Sequence, residues 1–247
     1  MSAAPLAGRR ILLTRSAEDC AAWRTQLERL GAEAVALPCI APEPIDTPEL
    51  RRALADALQA ADWLVFTSKR GVEGAVRLGA AAHLSPGVRT AAVGAATAEA
   101  VRAAFGPPAV VGTGTGERLA DALVEKAGVG RGLRVVLAVA TGAGTALGRR
   151  LAEAGAEVTR LEVYRTVAVP PSTRKVALST LRADAIVLAS PSAVTGLLNQ
   201  VEIDAPAAVY TIGPTTSAAA RASGLNVTAE AAEPSFAAVL EAIRCRN

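Results

Sequence analysis

The sequence contains a single histidine among its 247 residues. A Ser-His-Asp triad needs a histidine as its base, and catalytic zinc sites usually take several histidine ligands. His83, the only candidate, is followed by "LSPG", which is typical of a loop. The sequence therefore disfavours both chemistries, and we expect His83 to be a solvated surface residue.

Cysteine is also scarce. Cys20, Cys39 and Cys245 are widely spaced and match no metal-ligand pattern. Three such residues do not make the disulfide framework of a small secreted domain. We expect small core or surface side chains at these positions, and no metal site is predicted.

Long apolar runs and strong charge are missing as well. No stretch approaches the roughly 18 apolar residues of a membrane helix, and "MSAAPLAGRRILLTRS" lacks the pattern of a signal peptide. The net charge of +3 is small and evenly spread, which argues against nucleic acid but suits an anionic small molecule. We expect a cytoplasmic protein that binds neither membranes nor nucleic acid.

What the chain does contain is a regular alternation of short apolar runs and longer amphipathic stretches. This alternation is typical of an α/β protein with parallel sheets. Ten strands are enough for two sheets of five. The predicted strands are residues 9–14, 32–37, 62–67, 90–93, 109–111, 133–139, 157–164, 184–189, 207–212 and 226–229.

The two sets of five strands resemble each other in sequence. "ADWLVFTSKRG", which begins at Ala61, returns as "ADAIVLASPSA" from Ala183. "AAVGAATAEAVRAAFG" from Ala91 matches "YTIGPTTSAAARASGL" from Tyr210. The sequence therefore predicts a duplicated unit.

Proline-rich segments bear on how the copies are divided. The simplest division is two contiguous halves that meet near residues 128–132. However, "LPCIAPEPIDTPEL" and "TVAVPPSTRK" are longer than usual βα connections, and their prolines favour an extended chain. If both segments cross between domains, residues 1–38 join 173–247, residues 39–172 form the second domain, and a cleft lies between them. Both divisions remain open at this stage.

Hydroxyl and glycine residues follow nearly every predicted strand. Ligands of open parallel sheets bind at the carboxyl ends of strands, where helix amides and hydroxyls favour carboxylate or phosphate. Simple helix capping would explain any one of these residues, whereas the set predicts a ligand with several anionic groups. The residues are Thr14, Arg15, Thr67, Ser68, Gly94, Thr97, Ser190, Ser192, Gly213, Thr215 and Thr216.

One glycine pattern suggests another ligand. In "VATGAGTALG", Gly142, Gly144 and Gly148 follow a strand, and Glu162 lies twenty residues after Gly142, as in a dinucleotide fingerprint. No Tyr-x-x-x-Lys pair accompanies it, so an NAD(P)-dependent oxidoreductase is the weaker alternative. "GTGTGE" at residues 112–117 indicates a loop that leads into a capped helix.

An ordered series of motifs across almost the whole chain resembles the uroporphyrinogen-III synthase family. The motifs are "ILLTR", "LGAEAVALP", "DWLVFTSKRGVEG", "AAVGAATAEAV", "LAEAGAEVTRLEVYRT", "ADAIVLASPSAV" and "YTIGPTTSAAA". The resemblance implies two flavodoxin-like α/β domains joined by a two-stranded linker. It also implies that the N-terminal segment crosses back into the C-terminal domain.

The resemblance further implies a lyase without a cofactor. Its substrate would be hydroxymethylbilane, an anionic linear tetrapyrrole with eight carboxylates. The enzyme would close this chain to uroporphyrinogen III, with inversion of ring D, through azafulvene and spiro intermediates. We expect a monomer, and a transient contact with the upstream hydroxymethylbilane synthase would fit this pathway.

Site residues follow from the matching motifs. Tyr164 in "EVYRT" is implied as the proton donor or hydrogen-bonding partner of the leaving hydroxyl, and Arg15, Lys69 and Arg70 are the expected charge partners. The hydroxyls implied to bind substrate carboxylates belong to Ser68, Thr97, Ser190, Ser192, Thr215 and Thr216.

The chain departs from the family pattern at one place. Where the family usually has an Arg-Gly pair, this sequence has Ala140, Thr141 and Gly142. The departure leaves a second hypothesis open, a non-catalytic module of the same fold that binds a tetrapyrrole or another polyanion.

Overall fold

The structure is a computed structural model that describes residues 5–245. These residues belong to two compact units. Unit 1 is formed by the chain up to Ala41 together with the chain from Thr166 onward, and unit 2 is Pro42–Arg165. Unit 1 is therefore discontinuous, and the units are not two contiguous halves of the sequence.

Strands and helices alternate along the chain. The strands are β1 (Arg10–Leu13), β2 (Glu33–Ala36), β3 (Ile40–Pro44), β4 (Trp63–Phe66), β5 (Arg89–Ala92), β6 (Val110–Val111), β7 (Arg134–Ala140), β8 (Glu157–Ala168), β9 (Val176–Ala177), β10 (Ala185–Leu188), β11 (Val201–Glu202), β12 (Ala208–Thr211) and β13 (Val227–Glu230). The helices are α1 (Ala17–Arg29), α2 (Pro48–Gln59), α3 (Lys69–Arg77), α4 (Ala80–His83), α5 (Ala95–Phe105), α6 (Gly116–Asp121), α7 (Ala146–Glu153), α8 (Leu178–Leu181), α9 (Pro191–Gln200), α10 (Pro214–Ala222) and α11 (Phe236–Arg244). A π-helical turn, Ala122–Lys126, continues α6.

Unit 1 contains a five-stranded parallel sheet with the strand order β13-β12-β10-β1-β2. Side chains alternate between its faces. Ile11 and Leu13 of β1 pack into one buried cluster with α1 and α11, while Leu12 packs into the other with α9. The short strands β9 and β11 form a separate parallel pair.

Unit 2 contains a sheet of six strands with the order β3-β8-β7-β4-β5-β6. Within it the pairs β8–β7, β7–β4, β4–β5 and β5–β6 are parallel. The parallel α/β fold predicted from the alternation is confirmed, and all ten predicted strands are present. The expectation of two five-stranded sheets was wrong, because β3 adds a sixth strand to this sheet.

β3 lies within the segment that we predicted to be an extended linker. Proline donates no hydrogen bond to a ladder, so Pro42 and Pro44 are compatible only with an edge strand, and β3 occupies the edge of its sheet. β3 and β8 each continue across a boundary between the units. β9 and β11 were also missed, since two-residue strands leave no periodicity in the sequence.

The same local structure occurs twice at the amino ends of the two sheets. Asp62 Oδ2 accepts a hydrogen bond from the Arg134 amide at 2.8 Å. Asp184 Oδ2 accepts one from the Arg10 amide, also at 2.8 Å. Each aspartate therefore joins the starts of two neighbouring strands, as expected for a duplicated unit.

The three cysteines and the histidine have simple environments. Cys20 and Cys39 are buried free thiols, and Cys245 is an exposed one. Burial, with a smaller contribution from Cys20, raises the pKa of Cys39 to about 12, so this thiol is protonated at neutral pH. His83 is exposed at the end of α4, and the "LSPG" that follows it is a loop, as predicted.

In the part of the chain that the structure describes, no helix is both long enough and apolar enough to cross a lipid bilayer.

Close packing in unit 1 gives a testable prediction at Gly196 of α9. A Cβ atom there would lie 1.8 Å from the backbone oxygen of Cys39. We expect Gly196→Ala to lower the free energy of unfolding by about 2 kcal/mol or more, measured by urea denaturation, because neither backbone can yield cheaply.

Gly144→Ala is the matched control. No atom lies within 4 Å of a Cβ at that position. Its stability should stay within about 0.5 kcal/mol of wild type. Equal effects of the two substitutions would contradict the packing at Gly196.

Candidate anion-binding site at the strand ends

Ser68 connects β4 to α3 in unit 2. Its side chain accepts a hydrogen bond from the Gly71 amide at 3.0 Å and thereby caps the helix. The same Oγ atom lies 3.0 Å from the hydroxyl oxygen of Tyr164 on β8. The structure therefore brings together Tyr164 and Ser68, which the motifs had implied separately.

Two glycines of α3 make this contact possible. A Cβ atom at Gly71 would lie 2.7 Å from the Ala138 oxygen of β7, and one at Gly74 would lie 2.8 Å from the Val163 oxygen of β8. Real Cβ atoms do not approach oxygen so closely. The helix therefore lies directly on the two strands, which places Ser68 within hydrogen-bonding distance of Tyr164.

Two predicted charge partners occupy the first turn of α3. Lys69 and Arg70 are its first two residues, and that turn contains no acidic side chain. Cations at a helix N-terminus oppose the helix dipole. This arrangement is unfavourable for the isolated helix and favourable for binding an anion, so it supports the predicted role of both residues.

Tyr164 and α3 line a cavity of about 110 Å³. Arg77, which the sequence analysis missed, lies two turns after Arg70 on the same helix. Their seven-residue spacing was a usable signal, since it places them on one face. The positive charge is partly offset by Glu73. The lining residues are Pro42, Pro44, Arg70, Glu73, Gly74, Arg77 and Tyr164.

Thr97 and Thr216 occupy equivalent places in the two units. Each is the third residue of a helix that follows a glycine, Gly94 before α5 and Gly213 before α10. The two residues are 6% and 1% exposed, respectively. Within residues 5–245 neither hydroxyl has a hydrogen-bond partner, so the capping interpretation fails for this pair.

The unit 1 copy of the Ser68 position is Ser190, which precedes α9. Ser190 Oγ accepts a hydrogen bond from the Ala193 amide at 3.1 Å, so it caps its helix as Ser68 does. Ser192 is half-buried in the first turn of α9, and Thr215 is exposed in the first turn of α10. Unit 1 thus repeats the hydroxyl-lined strand ends of unit 2.

Arg15 and Thr14 already have partners in unit 1. The Arg15 guanidinium is 2.9 Å from Asp19 and lies 5.4 Å from the ring centroid of Trp23. Its charge is therefore partly compensated within the protein, and the four-residue spacing to Asp19 could have indicated this pair. Thr14 is buried and donates to the Val187 oxygen at 2.6 Å, which is a structural role.

The glycine-rich turn after β7 is held by side chains of β8. Arg160 donates to the Ala143 and Gly144 oxygens at 2.8 and 3.3 Å, and the Gly142 amide donates to Glu162 at 3.4 Å. A carboxylate thus faces the amide that a dinucleotide phosphate would need. This contact makes the turn unfavourable for a pyrophosphate.

Ionisable groups elsewhere near β3 are paired at the surface. Arg165 donates to Glu43 at 2.6 Å, and this hydrogen bond lowers the pKa of the Glu43 carboxyl. Arg51 lowers the pKa of Asp46 in the same way. Among residues 5–245 there is no cluster of three histidine, cysteine or acidic residues that could hold a metal ion.

Comparison with known protein families shows which family the chain belongs to. The family model described as "Uroporphyrinogen-III synthase HemD" matches residues 21–241. The chain belongs to the uroporphyrinogen-III synthase family. This assignment confirms the resemblance on which the motifs agreed.

Two curated proteins are similar in sequence. The chloroplastic uroporphyrinogen-III synthase of Oryza sativa subsp. japonica is 30% identical over 230 residues, covering 87% of this chain and 73% of the plant protein. The porphyrin biosynthesis protein HemD of Ruminiclostridium josui is 36% identical over 69 residues. That match spans 28% of this chain and 14% of the longer protein.

Two crystal structures share the fold. The synthetase from Helicobacter pylori superposes with a TM-score of 0.56 at 17% identity, over 97% of this chain and 100% of that one. A mutant synthase from Thermus thermophilus gives a TM-score of 0.52 at 22% identity, over 96% and 98% of the two chains. Both comparisons support the α/β fold of mostly parallel sheets.

The double role of Ser68 can be tested by a double-mutant cycle with Tyr164. We expect Ser68→Ala to cost about 1 kcal/mol as a lost cap. The effects of Ser68→Ala and Tyr164→Phe on the free energy of unfolding should not add. We expect a coupling energy of about 1 kcal/mol, because both substitutions remove the same hydrogen bond. Urea denaturation of the four proteins measures both quantities.

Ser190→Ala provides the matched control, because Ser190 is a cap of the same kind in the other unit. Its effect should add to that of Tyr164→Phe. Additive behaviour of Ser68→Ala as well would show that the contact between Ser68 and Tyr164 does not contribute to stability.

Proposed function

We propose that this chain is a uroporphyrinogen-III synthase, which closes hydroxymethylbilane to uroporphyrinogen III with inversion of ring D. Family membership over residues 21–241 supports the reaction. The observation that carries the proposal is the Tyr164 hydroxyl, which Ser68 holds beside Arg70 and Arg77 in one cavity of unit 2.

The substrate's carboxylates account for the remaining strand-end residues. A carboxylate is bound well by hydroxyls, by free amides of a first helical turn, and by cations. Thr97, Thr215 and Thr216 offer hydroxyls in the first turns of α5 and α10, whereas Lys69 and Arg70 offer cations. Arg15 contributes less to this task than the sequence suggested, because Asp19 already compensates part of its charge.

Tyr164 supplies the proton for the first step. A hydroxyl has one donor and two acceptor sites, and one acceptor site of Ser68 is taken by the Gly71 amide. If Ser68 donates its hydrogen to the Tyr164 oxygen, the phenolic hydrogen is free to point to the substrate. Ser68 then also stabilises the phenolate that remains after proton transfer.

The first step removes water from the substrate. The C–O bond of the hydroxymethyl group breaks, its electrons leave with oxygen, and the Tyr164 proton completes a water molecule. The pyrrole nitrogen supplies the electrons that form the azafulvene. The substituted carbon of ring D then attacks the new methylene to give the spiro intermediate. The bond from that carbon to the methylene bridge of ring C breaks, which leaves an azafulvene on ring C, and this methylene bonds to the unsubstituted α-carbon of ring D, so that the ring is inverted. That α-carbon loses its proton, which restores the phenol.

The direct test is cyclisation of freshly generated hydroxymethylbilane with and without the protein, with separation of the I and III isomers after oxidation. Predominant III isomer would establish the synthase. The spontaneous I isomer alone, from folded protein, would favour the non-catalytic binding module. Cytoplasmic location, the monomeric state and contact with hydroxymethylbilane synthase stay predictions.

Replacing the proposed proton donor should slow turnover. We expect Tyr164→Phe to lower kcat by about ten-fold, less than the roughly 10²–10⁴ typical of a strong general acid, because water can deliver a proton in its place. Steady-state kinetics with isomer analysis measures this effect. An unchanged kcat in a folded variant would assign the proton transfer to another group.

Removing both hydroxyls of the first turn of α10 should weaken substrate binding. We expect Thr215→Ala combined with Thr216→Ala to raise KM about ten-fold at nearly constant kcat, since the lost contacts are equal in ground and transition states. Thr195→Ala, an exposed position on α9, should leave KM unchanged. Unaltered kinetics of the double variant would remove these residues from the site.

A further inference from the structure

A chain of three side chains lies beside the first turn of α10. Thr211, at the end of β12, and Ser217, the fourth residue of α10, are fully buried, and their hydroxyl oxygens are 2.6 Å apart. Ser217 donates its only hydrogen to Glu230, the exposed last residue of β13. Thr211 must therefore donate to Ser217.

The second copy of the unit lacks this network. Aligning "YTIGPTTSAAARASGL" with "AAVGAATAEAVRAAFG" places Ala92 at the position of Thr211 and Ala98 at that of Ser217. Val111, the last residue of β6, occupies the edge-strand position of Glu230. All three polar residues of unit 1 thus correspond to apolar residues in unit 2.

Backbone hydrogen bonds explain why unit 2 does not need the network. The loop after β6 is tied to the strand end before α5 by two bonds, from Gly112 to the Ala92 oxygen and from Gly114 to the Val93 oxygen, both 2.8 Å long. The corresponding loop of unit 1 has the bond from Ala231 to the Thr211 oxygen. Within residues 5–245 the equivalent of the Gly114 bond does not occur there.

We propose that Glu230 is a positioning residue, which acts through Ser217 and Thr211 to hold the first turn of α10 and its two threonines in their binding geometry. The side-chain network takes the place of the missing backbone bond. The effect on catalysis rests on the proposed function, because Thr215 and Thr216 are assigned there to the substrate's carboxylates.

The structural half of this inference can be tested without substrate. Hydrogen exchange of the amides of residues 215–217 should be about five-fold faster in Ser217→Ala and in Glu230→Ala than in wild type, the effect of one lost hydrogen bond. Glu230→Gln retains an acceptor oxygen, so in this variant the same amides should exchange at the wild-type rate. Equal exchange rates in Glu230→Gln and Glu230→Ala would show that Glu230 acts through its charge and not through the hydrogen bond to Ser217. This result would overturn the proposal.

The functional half of the inference predicts a change in KM without a change in kcat. Ser217→Ala and Glu230→Ala should each raise KM about five-fold with kcat nearly unchanged, the pair together should give no further increase, and Glu230→Gln should restore KM. Wild-type KM in both alanine variants would overturn the role. If wild-type protein shows no synthase activity, the proposed function fails, while the exchange experiment still decides whether Glu230 positions the turn.

Two further variants control for general destabilisation. Thr228 lies on the same strand as Glu230, and its Oγ1 accepts a hydrogen bond from the Val209 amide at 3.0 Å. Thr228→Val should lower stability without changing KM or the exchange of residues 215–217. A triple variant with Thr211→Ala, Ser217→Ala and Glu230→Val carries the residues of unit 2, and we expect it to fold and to show the raised KM.

Discussion

The close approach of α3 to β7 and β8 is the contact on which the candidate site depends. Gly71 and Gly74 have no Cβ, so the helix backbone lies against the Ala138 and Val163 oxygens. This approach lets Ser68 cap the helix and reach Tyr164 with the same oxygen. Any larger residue would push the helix outward and separate the two hydroxyls, although both would still be present in the sequence.

Duplication gives the protein two similar sets of strand ends, and the differences between them indicate how each is used. Ser68 and Ser190 cap their helices alike, and Thr97 and Thr216 share burial without hydrogen-bond partners among residues 5–245. Of the two capping serines, Ser68 is the one that contacts a tyrosine. The contact between a capping serine and a tyrosine thus belongs to unit 2, whereas the hydrogen-bonded chain of Thr211, Ser217 and Glu230 belongs to unit 1.

Much of the fold follows from local patterns. Buried parallel strands are continuous apolar runs, so all ten predicted strands are present near their expected bounds. β3 was missed because prolines argue against a strand, and its edge position, which makes them acceptable, depends on a distant partner. The π-helical turn after α6 and the network at Glu230 likewise depend on neighbours that no local pattern specifies.

The sequence by itself determined the α/β class, the duplicated unit, the hydroxyl residues at the strand ends and the family, because each is recorded in local periodicity or in ordered motifs. Tertiary structure alone decided which of the predicted site side chains are still available to bind a ligand. Arg15 is paired with Asp19, Thr14 with a backbone oxygen, and Tyr164 with Ser68. The reason is physical: a side chain's remaining hydrogen-bonding and charge capacity is set by its neighbours in space, and most of these are far away in the chain.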